Sequence, residues 1–167
     1  MDRFQAALVE EGAKKSGLLW LELPGLPQPR AAWHIWLDGA AYLVTGGDGE
    51  QPLPGLPEAD QVTVTLRSKD KGGRLVSFVA AAALVEPGTE EWSRVVPVLM
   101  KERLNASSHE GQAERWATES YVVRLTPAEA ITGLPADYAA VRPVPTPAST
   151  APRRPFMVGG RRRKVDL

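Results

Sequence analysis

The chain has 167 residues, is 43% apolar, balances 20 basic against 20 acidic residues and contains no cysteine. Disulfides, thiolate catalysis, cysteine-based zinc sites and iron–sulfur clusters are therefore excluded, and no apolar run approaches the roughly 20 residues of a membrane-spanning helix. The neutral total hides an asymmetry: from Val141 onward Arg142, Arg153, Arg154, Arg161, Arg162, Arg163 and Lys164 face Asp166 alone, a charge of +6, so residues 1–140 carry −6.

An acidic body offers no cation cluster for duplex phosphates, so nucleic acid is not an expected partner. The N-terminal MDRFQAALVEEGAKK lacks a basic stretch followed by an apolar one. It does not read as a signal peptide, and the cytoplasm is the expected compartment, with no membrane partner. Asn105-Ala106-Ser107 matches a glycosylation acceptor that has no meaning in that compartment.

In chain order, Asp2 to Lys15 suits a short amphipathic helix with Phe4, Ala7 and Leu8 on one side, Gly12 near its end, and Lys14 and Lys15 favouring the C-terminal dipole. Gly17 closes it. Leu18–Leu23 alternates as a first strand, and PGLPQP turns the chain into Trp33–Val85, which reads as two successive β-hairpins. In the first hairpin Asp38-Gly39 has the chemistry of a type I′ turn. That turn sets Leu37 opposite Ala40, Ile35 opposite Tyr42 and Trp33 opposite Val44 on one face, with His34, Trp36, Ala41 and Leu43 on the other. Neither face suits water, so both need cover: a barrel interior on one side and a partner subunit on the other.

Gly46 to Asp60 is a long irregular connection, in which Gly46-Gly47-Asp48-Gly49 is loop punctuation. The second hairpin alternates Val62, Val64 and Leu66 with Thr63, Thr65 and Arg67, turns through SKDKGG and returns along Arg74 to Val85. The small Ala80–Ala83 run leaves room for a close neighbour or a ligand, and packing is the commoner use. Thr89 caps a helix with Glu90 and Glu91 in its first turn, Lys101 and Arg103 in its last, and a stripe of Trp92, Val95, Val96, Leu99 and Leu104. Pro97 should kink it. Trp116–Leu125 is predicted to be the final strand, ended by Thr126-Pro127. Residues 141–167, rich in Pro and Arg around Phe156-Met157-Val158, form a tail that either docks on the acidic body or stays disordered.

Chemistry-bearing motifs are few. No phosphate-binding glycine motif, zinc-protease motif or nucleophile with local context is present. His34 could shuttle protons, but between two tryptophans a hydrogen-bonded core or interface histidine is the better reading. His109 lies in a polar connection. The run Arg67-Ser68-Lys69-Asp70-Lys71-Gly72-Gly73-Arg74, with four cations, a hydroxyl and two glycines at a hairpin end, is the strongest candidate anion site, set against the fact that hairpin ends are commonly polar.

The order of elements carries a resemblance. A helix, a strand, an Asp-Gly hairpin ending Tyr42-Leu43-Val44-Thr45, a connection, V-T-V-T-L leading to a long strand ending Ala-Leu-Val-Glu-Pro-Gly, a helix with Glu-Trp at its start and a strand ending Arg-Leu-Thr-Pro resembles the flavin-binding split β-barrel superfamily. Pyridoxamine 5′-phosphate oxidase-like and deazaflavin-dependent reductase-like proteins make up that superfamily, and the resemblance spans roughly Gly17 to Pro127. It implies a mainly β fold with peripheral helices: a six-stranded antiparallel split β-barrel over residues 1–140, dimeric, with FMN or a deazaflavin between subunits. It also implies that the strand ending at Thr45 and the following connection meet the cofactor. Relatives usually place a cation in that connection, whereas none stands here between Thr45 and Gln61, and Asp48 and Glu50 oppose a phosphate. Arg67, Ser68 and Lys69, or the other subunit, would have to supply that contact.

Two function classes follow. One is an FMN- or deazaflavin-dependent oxidoreductase acting on a small molecule, in which the protein orients the reactants and the ring carries the redox chemistry. The alternative is a non-catalytic split-barrel dimer that binds a small ligand or a protein. A third possibility is an assembly protein whose arginine tail docks on an acidic surface.

Overall fold

The computed structural model describes residues 1–67, 74–103 and 111–130. The sequence readings on Ser68, Lys69, Leu104, Asn105, His109 and the 141–167 tail fall outside these.

Asp2 opens helix α1 (Arg3–Lys15) with a reciprocal cap: its carboxylate accepts from Gln5 N at 2.8 Å while the Gln5 side chain accepts from Asp2 N at 3.1 Å. The face it buries is not the one with the largest side chains. Val9, Gly12 and Ala13 are buried, while Phe4 is 79% exposed. The reason is close approach, since a Cβ on Gly12 would come within 3.1 Å of Leu66 Cδ1. The small side of the helix thus lies flat on the sheet, and the bulky side cannot.

Among the described residues seven strands follow in one antiparallel sheet: β1 (Leu18–Glu22), β2 (Arg30–Trp33), β3 (Ile35–Leu37), β4 (Ala40–Thr45), β5 (Gln61–Arg67), β6 (Arg74–Leu84) and β7 (Tyr121–Ala130). Their order is β2-β1-β5-β6-β7-β4-β3, so the strands at the two edges, β2 and β3, are consecutive in the chain with only His34 between them. The sheet curls into a nearly closed barrel. Where the sequence suggested six strands, the segment around Trp33–Leu37 divides at His34, because its first part pairs with β1 and its second with β4.

The Asp38-Gly39 turn is as the sequence predicts, with φ of 49° and 80° and the pairs Ile35↔Tyr42 and Leu37↔Ala40. All six residues of β4 are buried. Ala41 and Leu43 join Leu19, Leu21, Val64, Leu66, Phe78 and Leu125 inside the barrel, while Ile35, Tyr42 and Val44 pack outward against Val95, Val96, Leu99 and Trp116. The outer cover is therefore the chain's own helices, α2 (Glu90–Glu102) and α3 (Gln112–Glu119), where the sequence reading expected a partner subunit.

Two further expectations are corrected. Trp116 is in α3, not the last strand; the good helix formers of QAERWATE carry its ring into the outer core, and β7 begins at Tyr121. Pro127 does not end β7, which runs on to Ala130. A register shift between Val79 and Ala80 falls where Pro127 pairs, and a bulge is where a strand tolerates a missing N–H. Helix α2 continues through Pro97, capped by Thr89 on Trp92 N at 3.1 Å. Among the described residues no helix is long and apolar enough to cross a membrane.

Candidate functional site

The barrel's seam lies between the end of β2 and the end of β4. The hairpin register points to a Trp33–Val44 pair there, but the amide of Gln51 stands in its place. Gln51 Oε1 accepts from Trp33 N at 2.9 Å, and its Nε2 donates to Trp33 O and Val44 O, both at 3.1 Å. One side chain from the 46–60 connection thus satisfies the backbone groups of both strand ends. Thr45 fixes that connection: its hydroxyl donates to Gln51 O at 2.9 Å and accepts from Leu53 N at 3.1 Å.

Next in sequence, Glu50 turns inward, its side chain only 4% exposed. It accepts from Trp116 Nε1 at 2.7 Å and pairs with Arg103, whose Nη2 also donates to Gly49 O at 3.0 Å. The cation missing from the connection is therefore supplied by the end of α2, 53 positions away. Sequence inspection could not see this, because nothing local couples Glu50 to Arg103. Gly47 holds the connection against the start of β7: φ is 79°, and a Cβ there would lie 2.4 Å from Ser120 Oγ.

Around these groups opens a cavity of about 490 Å³ lined by Leu18, Trp33, Val44, Glu50, Gln51 and Arg103, among others. Arg67 sits one strand beyond its rim. The β1–β5 ladder pairs Leu19 with Leu66, so continuing it by one step sets Arg67 beside Leu18, which itself pairs with Trp33. The Arg67 guanidinium stacks over Trp20 at 4.3 Å. Of the residues suggested from sequence, Thr45 is buried and engaged in holding the connection, and Arg67 is exposed near the cavity. Strands β6 and β7 separate β4 from β5 in the sheet, so the structure does not bring these two residues together.

His34 lies at the β2–β3 break, buried, with Nε2 donating to Ala13 O at 3.2 Å. Burial pushes its pKa down to about 4, against that hydrogen bond, which raises it. It is neutral at physiological pH and unsuited to shuttle protons there.

No protein-family model matches the sequence, and no curated protein matches it. Solved structures do. The heme storage protein HutZ from Vibrio cholerae superposes with a TM-score of 0.52 at 15% identity, covering 75% of this chain and 91% of that one. A conserved hypothetical protein from Mycobacterium tuberculosis gives 0.50 at 21% identity, covering 78% and 82%. At these identities the likeness shows the fold alone, a split β-barrel. Within that split barrel, the Gln51 wedge marks the split, and the cavity opens beside it.

Proposed function

We propose that this split-barrel protein binds a flavin-type cofactor, FMN or a deazaflavin, at the seam cavity and acts in the cytoplasm as an oxidoreductase on a small molecule. The supporting observation is the seam cavity itself, walled by Trp33, Val44 and Leu18, the last on the same strand β1 whose Trp20 carries the Arg67 guanidinium at 4.3 Å. That is the pairing a phosphate-bearing ring needs. Glu50 is neutralised by Arg103, so the cavity does not repel an anionic cofactor.

Trp33, Val44 and Leu18 would hold the ring, and Arg67 with Ser68 and Lys69 the phosphate. Thr45 acts one step back, through the connection that carries Gln51. When bound, the cofactor supplies hydride transfer, so no acid–base pair is required of the protein. A homodimer belongs to the same reading: Leu18 is 47% exposed on the cavity wall, and a second copy would complete it. One observation favours the non-catalytic alternative, namely that Glu50 and Gln51 are fully engaged with the protein itself.

Titration with FMN and with a deazaflavin, followed by absorbance, tests the proposal. One cofactor per chain, reducible by a nicotinamide nucleotide, is expected. If neither binds, the cofactor reading falls; binding without reduction favours the non-catalytic one. Light scattering on the same sample should give twice 18.1 kDa.

A further inference from the structure

A separate cavity, about 400 Å³, opens between α2 and α3 and shares no described lining residue with the seam cavity. Trp92, Val96, Pro97 and Met100 of α2 and Ala113 of α3 give it apolar walls, and Ser93 completes a lining without charge among the described residues. Val96 is buried, whereas Trp92, Met100 and Ala113 are partly buried and pack against the outer core. Pro97 is the unusual element. It stands inside the helix without an N–H, so the carbonyl four residues back, Ser93 O, loses its usual helical donor. Both residues line the cavity, which places this orphaned acceptor in its wall. The Ser93 hydroxyl is turned away, donating to Thr89 O at 3.0 Å.

We propose that this cavity is a binding site for a small, uncharged aromatic molecule carrying one hydrogen-bond donor, its ring packed between Trp92 and Met100 and its donor on Ser93 O. The ligand is uncharged because a lining without a charged side chain offers an ion nothing in exchange for its hydration. It is aromatic because an indole face and a thioether are both favourable partners for a ring. Trp92 and Met100 lie two helical turns apart on α2, about 12 Å along the axis, which leaves room for a bicyclic ring between them. It carries a donor because Ser93 O is otherwise left to water. An N–H or O–H that replaces this water sits in an apolar surround, where a hydrogen bond is stronger. The site is distinct from the seam cavity and needs no cofactor.

The test uses the full chain without added cofactor and titrates it with indole and with benzofuran, a ring of the same size that has no donor. The Met100 methyl NMR signal reports binding at this site. Affinities on the order of 1 mM suit probes this small. Indole is expected to bind about three- to tenfold tighter than benzofuran, the worth of one hydrogen bond. Pro97→Ala restores the N–H that occupies Ser93 O, so it removes that preference and leaves benzofuran binding as it was; alanine favours the helix, so the variant folds. Met100→Glu, on the partly exposed wall, weakens both probes severalfold. A Met100 signal that neither probe shifts, equal affinities in the wild type, or a preference for indole that survives Pro97→Ala overturns the proposal. Because no flavin takes part, these outcomes are independent of whether the seam cavity holds one.

Discussion

Acid should destabilise this protein through His34. In the folded chain its pKa is lowered from 6.5 to about 4, chiefly by burial. An unfolded chain takes up the proton near pH 6.5, the folded one only near pH 4. The stability that the neutral imidazole preserves is fully present above pH 6.5 and drains away as pH falls to 4. At about 1.4 kcal/mol per tenfold change in proton affinity, the loss by pH 4 is about 3 kcal/mol. Against a typical total of about 5–15 kcal/mol, that is a large fraction. His34→Gln isolates it, because the amide can still donate to Ala13 O but does not titrate. Urea unfolding of both proteins at pH 7 and pH 4 is the assay; carboxylates elsewhere titrate equally in both, so only the difference of differences counts. The wild type should lose about 3 kcal/mol more than the variant. Equal losses, or an imidazole NMR signal titrating near pH 6.5, would refute the reasoning.

Replacing Glu50 by Ala removes the carboxylate that pairs with Arg103 and leaves Trp116 Nε1 without its acceptor, and thermal unfolding should report a loss of about 3 kcal/mol. Gln51→Leu removes three hydrogen bonds from the seam, which predicts about 2–3 kcal/mol of destabilisation and faster hydrogen exchange at the Trp33 amide than at Leu19 or Leu21. Gly47→Ala combines a positive φ with a clash on Ser120 and Glu119 O, so a soluble but less stable protein, by about 2 kcal/mol or more, is expected in a chemical melt. If FMN binds, Arg67→Ala should weaken its titration about ten- to a hundredfold, and an unchanged affinity would move the phosphate elsewhere.

What this sequence determines by itself is local. Asp38-Gly39 demands a turn with two positive φ values, and the apolar pattern on either side then dictates the faces of β3 and β4. The alternation from Val62 to Leu66 gives β5, and Thr89 with its acidic first turn gives the start of α2. Each is written in neighbouring residues, so each is readable without the fold. Tertiary structure decided the rest, because it depended on residues far apart in the chain. Glu50 looked like an obstacle to an anion until Arg103 arrived from α2 to neutralise it. Gln51 looked like loop until the two edges of the barrel met on either side of its amide. The face that α1 buries followed from how closely Gly12 can approach Leu66, a distance no moment along the helix contains. The cover on β4 came from helices whose packing the period-2 pattern does not specify. Alternation shows that a face must be buried, but only the closed barrel decides by what.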